Sequence, residues 1–350
     1  MSELLNSNYP PLKTTGRSFE KVFYDELSKS KEIRIASAYI SEDSLTQLIG
    51  LYDNGFTARL DLVIGMHFFE GFTKLQLDAL MKLSSFLTEN TLGRISLSTV
   101  SKYHGKLYVF NDKDNNYTSI IGSSNLTKIH TSEKVYDTDI FIDDFTLSEN
   151  IYNFIDDLRT KYCKEISVID QDRIPLRTRS DLFVDHTDVN KVTKENLAEI
   201  KSNLILKNAF ILPLKTEPKS GLNAFHGKGR ENKSNGIVIP RDWYEVELIV
   251  PKSITDNPAY PKKDFEFIVI TDDGYEFKCK TSGDYSKNFR SAVDLKVLGR
   301  WIKGRLEDAG CLKLGEVVTD STFEKYGRDS ITLLKTNIEN KWFLDFGPKK

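Results

Sequence analysis

The sequence predicts two domains of different fold class: an α/β domain with a mixed sheet over residues 1–165 and a mainly β domain over residues 199–350. Three observations lead to this division. Strands alternate with amphipathic helices over the first 160 residues and then follow one another directly. A polar stretch that contains proline and lacks periodicity comes next, so we expect a linker over residues 166–198. Beyond residue 200 most apolar runs are short, as in strands.

The elements of the first domain are predicted from apolar spacing and from helix-start signals such as the Ser41-Glu-Asp-Ser run. The predicted helices cover residues 18–28, 41–54, 73–87 and 148–162. The predicted strands cover residues 32–40, 58–65, 94–100, 106–110, 118–121 and 139–142. This order is typical of a mixed α/β sheet covered by helices.

In the second domain the apolar runs predict strands at residues 204–206, 210–214, 236–240, 246–250 and 265–270. Asp272-Asp273-Gly274 is a hairpin signal before a further strand from Tyr275. A helix is expected over residues 295–309, ending at Gly310. The chain contains no internal repeat, so each motif discussed below occurs once.

Composition excludes several classes of protein. The chain has 39% hydrophobic and 29% charged residues, as globular proteins do. No apolar run approaches the ~20 residues of a membrane span. The first residues do not resemble a signal peptide. Cys163, Cys279 and Cys311 lie far apart without the spacing of a metal site. We therefore expect a cytoplasmic protein with reduced thiols and no membrane contact.

The segment around His104 carries the groups for chemistry on a phosphodiester. His104 and Lys106 stand two residues apart, and in a strand their side chains would share one face. After a polar turn and a second strand follows Gly122-Ser123-Ser124-Asn125, whose Ser123 and Asn125 can bind phosphate oxygens. Asp137, at the start of the next strand, could orient the histidine.

These groups suffice without a metal ion or a cofactor. A neutral imidazole can attack phosphorus and carry the phosphoryl group covalently. A second, protonated imidazole must give a proton to the leaving oxygen. A lysine and neutral hydrogen-bond donors can stabilise the charge that develops on the other oxygens.

The two motifs, His-x-Lys followed by Gly-Ser-x-Asn, resemble the signature of the phospholipase D superfamily. The superfamily has an aspartate five residues after the lysine, and this sequence has Asn111 there. A neutral residue at that position, together with Thr15-Gly16-Arg17 before the first helix, resembles the nuclease branch of BfiI-type restriction endonucleases. In that branch Asp137 matches the acidic partner of the histidine, with Glu133 and Asp139 as open alternatives.

The resemblance implies a phospholipase-D-like domain that works as a homodimer. The superfamily needs two copies of the motif at one catalytic centre, and this chain has one. Two chains would then share one site through their N-terminal domains, with one His104 as nucleophile and the other as general acid. Lys106, Ser123 and Asn125 from both chains would bind the phosphate. Of the other histidines, His67 is expected to be structural or to lie at the rim of the site, and His130 is expected in a loop.

Two polar, basic segments of the second domain are candidate DNA-binding arms. Arginine reads guanine and asparagine reads adenine by paired hydrogen bonds in the major groove. The stretch from Lys219 to Arg241 has five basic residues against one acid, and that from Glu276 to Leu306 has eight against three. The candidate contacts in the first arm are Asn223, His226, Lys228, Arg230, Asn232 and Lys233. Those in the second are Lys280, Tyr285, Lys287, Asn288 and Arg290.

The predicted helix over residues 295–309 carries further basic residues. Lys296, Arg300, Lys303 and Arg305 either contact phosphate or form a solvated face. The stretch from Lys219 to Pro240 is similar to the NgoFVII-type restriction enzymes, whose C-terminal domain is a B3-like pseudobarrel that binds DNA with two arms. Enzymes of this type can also work with a separate ATPase subunit.

The sequence therefore predicts a sequence-specific type II restriction endonuclease that hydrolyses double-stranded DNA without metal. Its N-terminal domain would cut and its C-terminal domain would read the sequence. Two alternatives remain open. One is a nonspecific or lipid phosphodiesterase of the same superfamily, and the other is a DNA-binding protein with an inactive catalytic domain.

Overall fold

The structure is a computed structural model that describes residues 2–6, 16–127, 136–179, 181–183, 186 and 188–348. The chain divides into two compact units. Unit 1 comprises Met1–Ser180 and Gly229–Pro240, and unit 2 comprises Asp181–Lys228 and Arg241–Lys350. Among the described residues, no helix combines the length and the apolar character needed to cross a membrane.

Unit 1 is built on a mixed eight-stranded sheet in the order β1-β7-β6-β5-β2-β3-β4-β8. Its strands are β1 (Ser2–Asn6), β2 (Ser30–Ser37), β3 (Arg59–Ile64), β4 (Gly93–Ser98), β5 (Lys106–Asp112), β6 (Tyr117–Gly122), β7 (Thr138–Ile142) and β8 (Cys163–Glu165). The β2–β3 and β3–β4 pairs are parallel and the other pairs antiparallel. This confirms the predicted α/β class with a mixed sheet.

Helices cover both faces of this sheet. They are α1 (Phe19–Lys29), α2 (Glu42–Asp53), α3 (His67–Glu70), α4 (Lys74–Glu89) and α5 (Phe145–Tyr162). Ile155 and Leu158 of α5 pack against a buried cluster on the central strands, whose other members are Ala36, Val63, Leu107 and Val109. On the opposite side Phe23 of α1 packs edge-on against Tyr108 and Phe110 of β5. This packing holds β5 rigidly between two helices.

Part of the segment predicted as a linker packs against unit 1. Residues 166–173 form two short 3₁₀ turns, Ile166–Val168 and Gln171–Arg173. Leu176 forms a bridge with Phe72. Arg179 donates to Glu42 at 2.6 Å in a largely buried ion pair. The absence of periodicity in this stretch reflects irregular backbone held by tertiary contacts.

Unit 2 consists mainly of strands that form one curled, half-barrel sheet in the order β10-β17-β18-β14-β15-β16-β13, with β9 added beside β15. Its strands are β9 (Asn190–Lys191), β10 (Leu204–Pro213), β13 (Leu248–Ile249), β14 (Glu266–Thr271), β15 (Tyr275–Ser282), β16 (Asn288–Ser291), β17 (Ser330–Thr336) and β18 (Lys341–Asp345). Its helices are α6 (Lys194–Ser202), α7 (Lys252–Thr255), α8 (Lys296–Asp308) and α9 (Asp320–Tyr326). The mainly β class and the hairpin at Gly274 between β14 and β15 are confirmed.

The remaining two strands, β11 (Arg230–Glu231) and β12 (Val238–Ile239), form a hairpin that belongs to unit 1. Asn235 at its turn donates from Nδ2 to Oδ1 of Asp25 in α1, at 2.9 Å. The first predicted arm is thus divided between the units, because residues up to Lys228 belong to unit 2.

Helix α8 does not present the basic face expected from the sequence. Lys303 is fully buried, donates to the carbonyl oxygen of Trp243 at 2.5 Å and lies over the Trp243 ring. Lys296 is buried as well, and Arg305 pairs with Asp272 at 2.5 Å. The expectation of phosphate contacts is therefore wrong for Lys296 and Lys303, whose side chains complete the core of unit 2.

Candidate active site

His104 and Lys106 lie at the beginning of β5 and contact each other. The Lys106 ammonium donates to the His104 carbonyl oxygen at 2.7 Å and lies 3.0 Å from Nδ1 of the His104 ring. His104 is exposed just before the strand, whereas Lys106 is only 8% exposed. Gly105 between them leaves room for Tyr103, because a Cβ there would lie 2.2 Å from the Tyr103 hydroxyl and would displace that ring.

Two opposing effects act on the charge of Lys106. Burial lowers the pKa of Lys106, and the negative charge of Asp137 opposes this shift. An approaching phosphate would act in the same direction as Asp137 and stabilise the charged amine.

The turn after β6 places Ser123 beside Asp137. The Ser123 hydroxyl donates to Oδ1 of Asp137 at 2.8 Å and accepts from the backbone N–H of Thr138 at 2.9 Å. Gly122 allows this close approach, because a Cβ on it would lie 2.3 Å from Oδ1 of Asp139. The structure therefore brings Ser123 and Asp137 together, and the charge of Asp137 also reaches Lys106.

Asp139 has a different position and role. It is buried, and its two oxygens accept from the backbone N–H and the hydroxyl of Ser124 at 3.0 Å and 2.6 Å. Burial raises the pKa of Asp139, although these hydrogen bonds oppose the shift. Because its oxygens are engaged in fixing the turn, we do not favour it as the partner of His104. The other alternative, Glu133, lies outside the described residues, as do Thr15 and His130.

Asn125 is held by the end of β2. Its Oδ1 accepts from the backbone N–H of Tyr39 at 3.3 Å. The next residue, Leu126, donates its N–H to the Ser37 hydroxyl at 2.8 Å. With Oδ1 engaged, the amide group of Asn125 is oriented as a donor, the function needed to bind a phosphate oxygen.

Residues that the sequence analysis did not select surround this site. The Tyr39 ring lies edge-on to the His104 ring, with centroids 5.9 Å apart, and its hydroxyl donates to Glu70 at 2.7 Å. The sequence signal was only that Tyr39 belongs to the predicted strand at residues 32–40. That signal does not predict a contact with His104, which is 65 positions away.

His67 is structural. Its Nε2 accepts from the backbone N–H of Ile40 at 3.2 Å, and its Nδ1 lies 3.0 Å from the Gly71 carbonyl oxygen. The ring stacks on Phe72. Burial lowers the pKa of His67, so the ring is held neutral and packed.

Asn111 lies at the opposite end of β5 from Lys106, about 16 Å away at the usual rise per residue. It is buried and is the register partner of Glu32 in β2. A carboxylate there would face a second carboxylate across the strand pair, which is unfavourable. The departure from the superfamily motif therefore removes no group from the site around His104.

The structure offers no obvious metal centre. In the ranges that are described, no three His, Cys, Asp or Glu side chains are grouped so that they could hold a metal ion.

The candidate contacts of the first arm have different environments. Asn223 is fully buried, and its side chain bonds to the backbone of Thr216 and Val318. His226 packs against Phe225 and Trp243. Asn232 accepts from the N–H and the hydroxyl of Ser234 and so shapes the hairpin turn. The exposed members of the set are Lys228, Arg230 and Lys233.

The second arm is the β15–β16 hairpin with its connecting turn. Lys280 and Arg290 are register partners on these strands. Tyr285 and Lys287 are exposed at the turn, and the Lys252 ammonium lies over the Tyr285 ring at 4.4 Å from its centroid. The Asn288 side chain packs on Gly283. This arm thus presents cations and one aromatic ring to solvent, a combination that suits nucleic acid.

Two family models match the chain in succession. The NgoFVII restriction endonuclease N-terminal phospholipase D domain matches residues 17–171. The NgoFVII C-terminal B3-like DNA-binding domain matches residues 194–337. No curated protein matches the chain significantly.

Solved structures similar to the chain cover about half of it. Nuc of Salmonella typhimurium, a phospholipase D family member, is 18% identical, with 47% of this chain and 97% of that chain covered and a TM-score of 0.34. NucT from Helicobacter pylori is 13% identical, with 47% and 99% covered and a TM-score of 0.34. Phosphatidylserine synthase of Haemophilus influenzae is 14% identical, with 50% and 42% covered and a TM-score of 0.36.

Fold, site and matches define a nuclease in which a phospholipase-D-type phosphodiesterase domain is joined to a DNA-binding domain. The two models follow each other in the order found here and together match most of the chain. The chain belongs to the NgoFVII family of restriction endonucleases.

Proposed function

We propose that this protein is a sequence-specific type II restriction endonuclease that cuts double-stranded DNA through a covalent phosphohistidine at His104, without a metal ion. The observation that carries the proposal is the contact of His104 with Lys106 beside Ser123, Asn125 and Asp137 at one edge of the sheet. A nucleophile, a cation and neutral donors are the groups that this chemistry requires.

In the proposed first step, one His104 attacks phosphorus through Nε2, and the P–O bond to the leaving oxygen breaks. A second His104, protonated, gives its proton to that oxygen, and water later releases the phosphate from the first ring. An ammonium donor on Nδ1, as the structure has it, leaves the proton of a neutral ring on Nε2. For both roles Nδ1 must instead carry a proton, in the attacking neutral ring and in the protonated general acid alike. Lys106 would then turn to the phosphate, and Asp137 would accept a hydrogen bond from Nδ1–H.

We propose that the second His104 comes from a second copy of the chain. An apolar row beside the site supports this: Leu4, Ile140 and Ile121 are neighbours in register on one face of the sheet and are 56%, 43% and 40% exposed. Ile121 directly precedes Gly122 and Ser123. An isologous contact along this row would bring two equivalent sites close together.

We propose that the exposed and half-buried cations of the two arms contact DNA, with Arg230 as a base reader. Lys280, Lys287, Arg290, Lys228 and Lys233 are assigned to phosphate or base contacts. Asn223, His226 and Asn232 then act by shaping the loops, and Asn288 by shaping the tip of the second arm. Tyr285 offers its exposed ring to the DNA. One base contact is typically worth ~1–3 kcal/mol of discrimination.

The test is digestion of a sequenced plasmid by the purified chain in excess EDTA, without ATP, followed by mapping of the ends. We expect discrete fragments with a common sequence at or near each end, and a phosphohistidine that can be trapped by acid-free quenching. His104→Ala should abolish cleavage and retain specific binding. Arg230→Ala should weaken the preference for the recognised sequence.

Each part of the proposal has its own contradicting result. Loss of cutting upon chelation would refute the metal-free mechanism, and a requirement for ATP would point to a separate ATPase subunit. A random distribution of ends would favour the nonspecific phosphodiesterase. Undiminished cutting by His104→Ala would show that His104 is not the nucleophile.

A further inference from the structure

We propose that Tyr39 is a positioning residue of the active site, which holds the His104 imidazole and the Asn125 carboxamide in their reactive arrangement and is itself held by Glu70. The inference rests on the proposed function, since it concerns the orientation of the proposed nucleophile.

The position of Tyr39 in the fold allows this role. It follows β2 by two residues, at the edge of the sheet where β5 begins and the turn after β6 ends. Its backbone N–H binds Oδ1 of Asn125 and its ring lies against His104, with an interplanar angle of 83°. One residue thus contacts two groups that the chain supplies from different strands.

His67 gives the Tyr39 ring a second, rigid neighbour. The centroid of His67 is 5.6 Å from that of Tyr39, again edge-on. Both nitrogens of His67 are engaged with backbone atoms and its ring stacks on Phe72, so the His67 ring is held in one position. The Tyr39 ring therefore contacts a fixed imidazole, His67, as well as the exposed imidazole of His104.

The hydroxyl of Tyr39 is fixed as well. It donates to Oε2 of Glu70 at 2.7 Å, and Oε1 of Glu70 lies 3.4 Å from the ammonium of Lys102. Lys102 stands two residues before His104, so the segment that carries the nucleophile is tied back to Tyr39 through Glu70. A hydrogen bond to a carboxylate is stronger than one between neutral groups and limits rotation of the ring.

The experiment compares single-turnover cleavage by Tyr39→Leu, Tyr39→Phe, Glu70→Gln and the Tyr39→Phe/Glu70→Gln double variant, with enzyme in excess over a cognate duplex. Misplacing a reacting group by about 1 Å can cost about 100-fold in rate. We expect a loss approaching that size for Tyr39→Leu, with the Kd for the duplex unchanged. Tyr39→Phe and Glu70→Gln should show smaller losses that do not add in the double variant, because both act on the same hydrogen bond: Phe removes its donor and Gln removes the charge of its acceptor.

Tyr152→Phe is the matched control. The Tyr152 hydroxyl also donates to a glutamate, Glu32, in the same unit, but this hydrogen bond joins α5 to β2. We expect it to cleave at the wild-type rate. Thermal unfolding of all variants separates misfolding from misplacement.

A second measurement keeps the inference testable if the chain cuts no DNA. In protein labelled with [¹³Cε1]histidine, the His104 resonance is assigned through its loss in His104→Ala and followed by NMR against pH. We expect Tyr39→Leu to change its chemical shift and titration while the His67 resonance remains that of a buried ring. A His104 signal unchanged by Tyr39→Leu, or additive losses in the double variant, would overturn the inference. Failure of the wild-type chain to cut would count against the proposed function alone.

Discussion

At the scale of single residues, the site depends on two glycines at positions where a Cβ atom would clash with a neighbour. Gly105 passes against the Tyr103 hydroxyl, and Gly122 passes against the carboxylate of Asp139. Each lies directly beside a proposed catalytic group, His104 in one case and Ser123 in the other. Backbone that approaches a neighbour this closely fixes the direction of the side chain next to it.

Gly122→Ala should therefore destabilise the protein and slow cleavage. The added Cβ would lie 2.3 Å from Oδ1 of Asp139 and 2.5 Å from the Thr138 carbonyl oxygen, so the β6–β7 turn must move. Overpacking of this kind costs about 1–3 kcal/mol. Urea unfolding followed by circular dichroism measures the stability, and single-turnover cleavage measures the effect on Ser123. Wild-type values for both would show that the turn relaxes freely.

At the scale of elements, strand β5 explains why much of the candidate site could be predicted from the sequence. His104, Lys106 and the apolar residues after them form one local pattern, and β6 with its Gly-Ser-Ser-Asn turn follows a short connection later. Local periodicity predicts such strands because alternate side chains face the core. It does not predict which distant strand lies beside them, so the contact with Tyr39 was missed.

Helix α8 is an element whose extent was predicted but whose environment was not. Its length was predicted correctly, but its lysines were expected near solvent or phosphate. In the structure Glu307 accepts from Trp243 and Tyr244, and Lys303 lies among these groups. A lysine can bury its aliphatic stem and bind a carbonyl oxygen, so charge alone does not identify a solvated face.

Because of Lys303, the free energy of unfolding should depend on pH. Burial lowers the pKa of Lys303 to about 7, while an unfolded lysine titrates near ~10.4. Between these pH values the unfolded state binds more protons, so the free energy of unfolding should rise with pH. Lys303→Met lacks this contribution.

We expect the difference in stability, wild type minus Lys303→Met, to increase from about pH 7 to pH 10. Denaturant titrations at several pH values measure it, and Lys313→Met, which removes an exposed lysine of the same unit, is the control. A difference independent of pH would mean that Lys303 keeps its ordinary pKa in the folded state.

At the scale of the whole molecule, the single motif copy predicts that no chain can cut alone. A heterodimer of one wild-type chain and one His104→Ala chain has one imidazole where two are needed. We expect such heterodimers, co-expressed with two different tags and purified through both, to be inactive. Independent sites would instead leave about half of the wild-type rate.

The apolar row of Leu4, Ile140 and Ile121 allows a second test of whether two chains share one active site. Ile140→Asp places a charge in the middle of the row, and we expect monomers that bind DNA but do not cut it. Val168→Asp is the control, because Val168 is also exposed in unit 1 but lies just after β8, at the other edge of the sheet. Sedimentation and cleavage are measured together. Dimers of Ile140→Asp with full activity would exclude the row as the interface.

The sequence by itself determined the two fold classes and the succession of most strands along unit 1, and it predicts His104, Lys106, Ser123 and Asn125 as the reacting groups. All of these are local in the chain, where periodicity and spacing are set by neighbouring residues. The tertiary structure decided which residues surround them. It placed Tyr39 beside His104 and bound the Tyr39 hydroxyl to Glu70, buried Lys303 and Asn223, and bound Asn235 to Asp25. Such contacts join residues far apart in the chain, and only the packing of whole elements brings them within bonding distance.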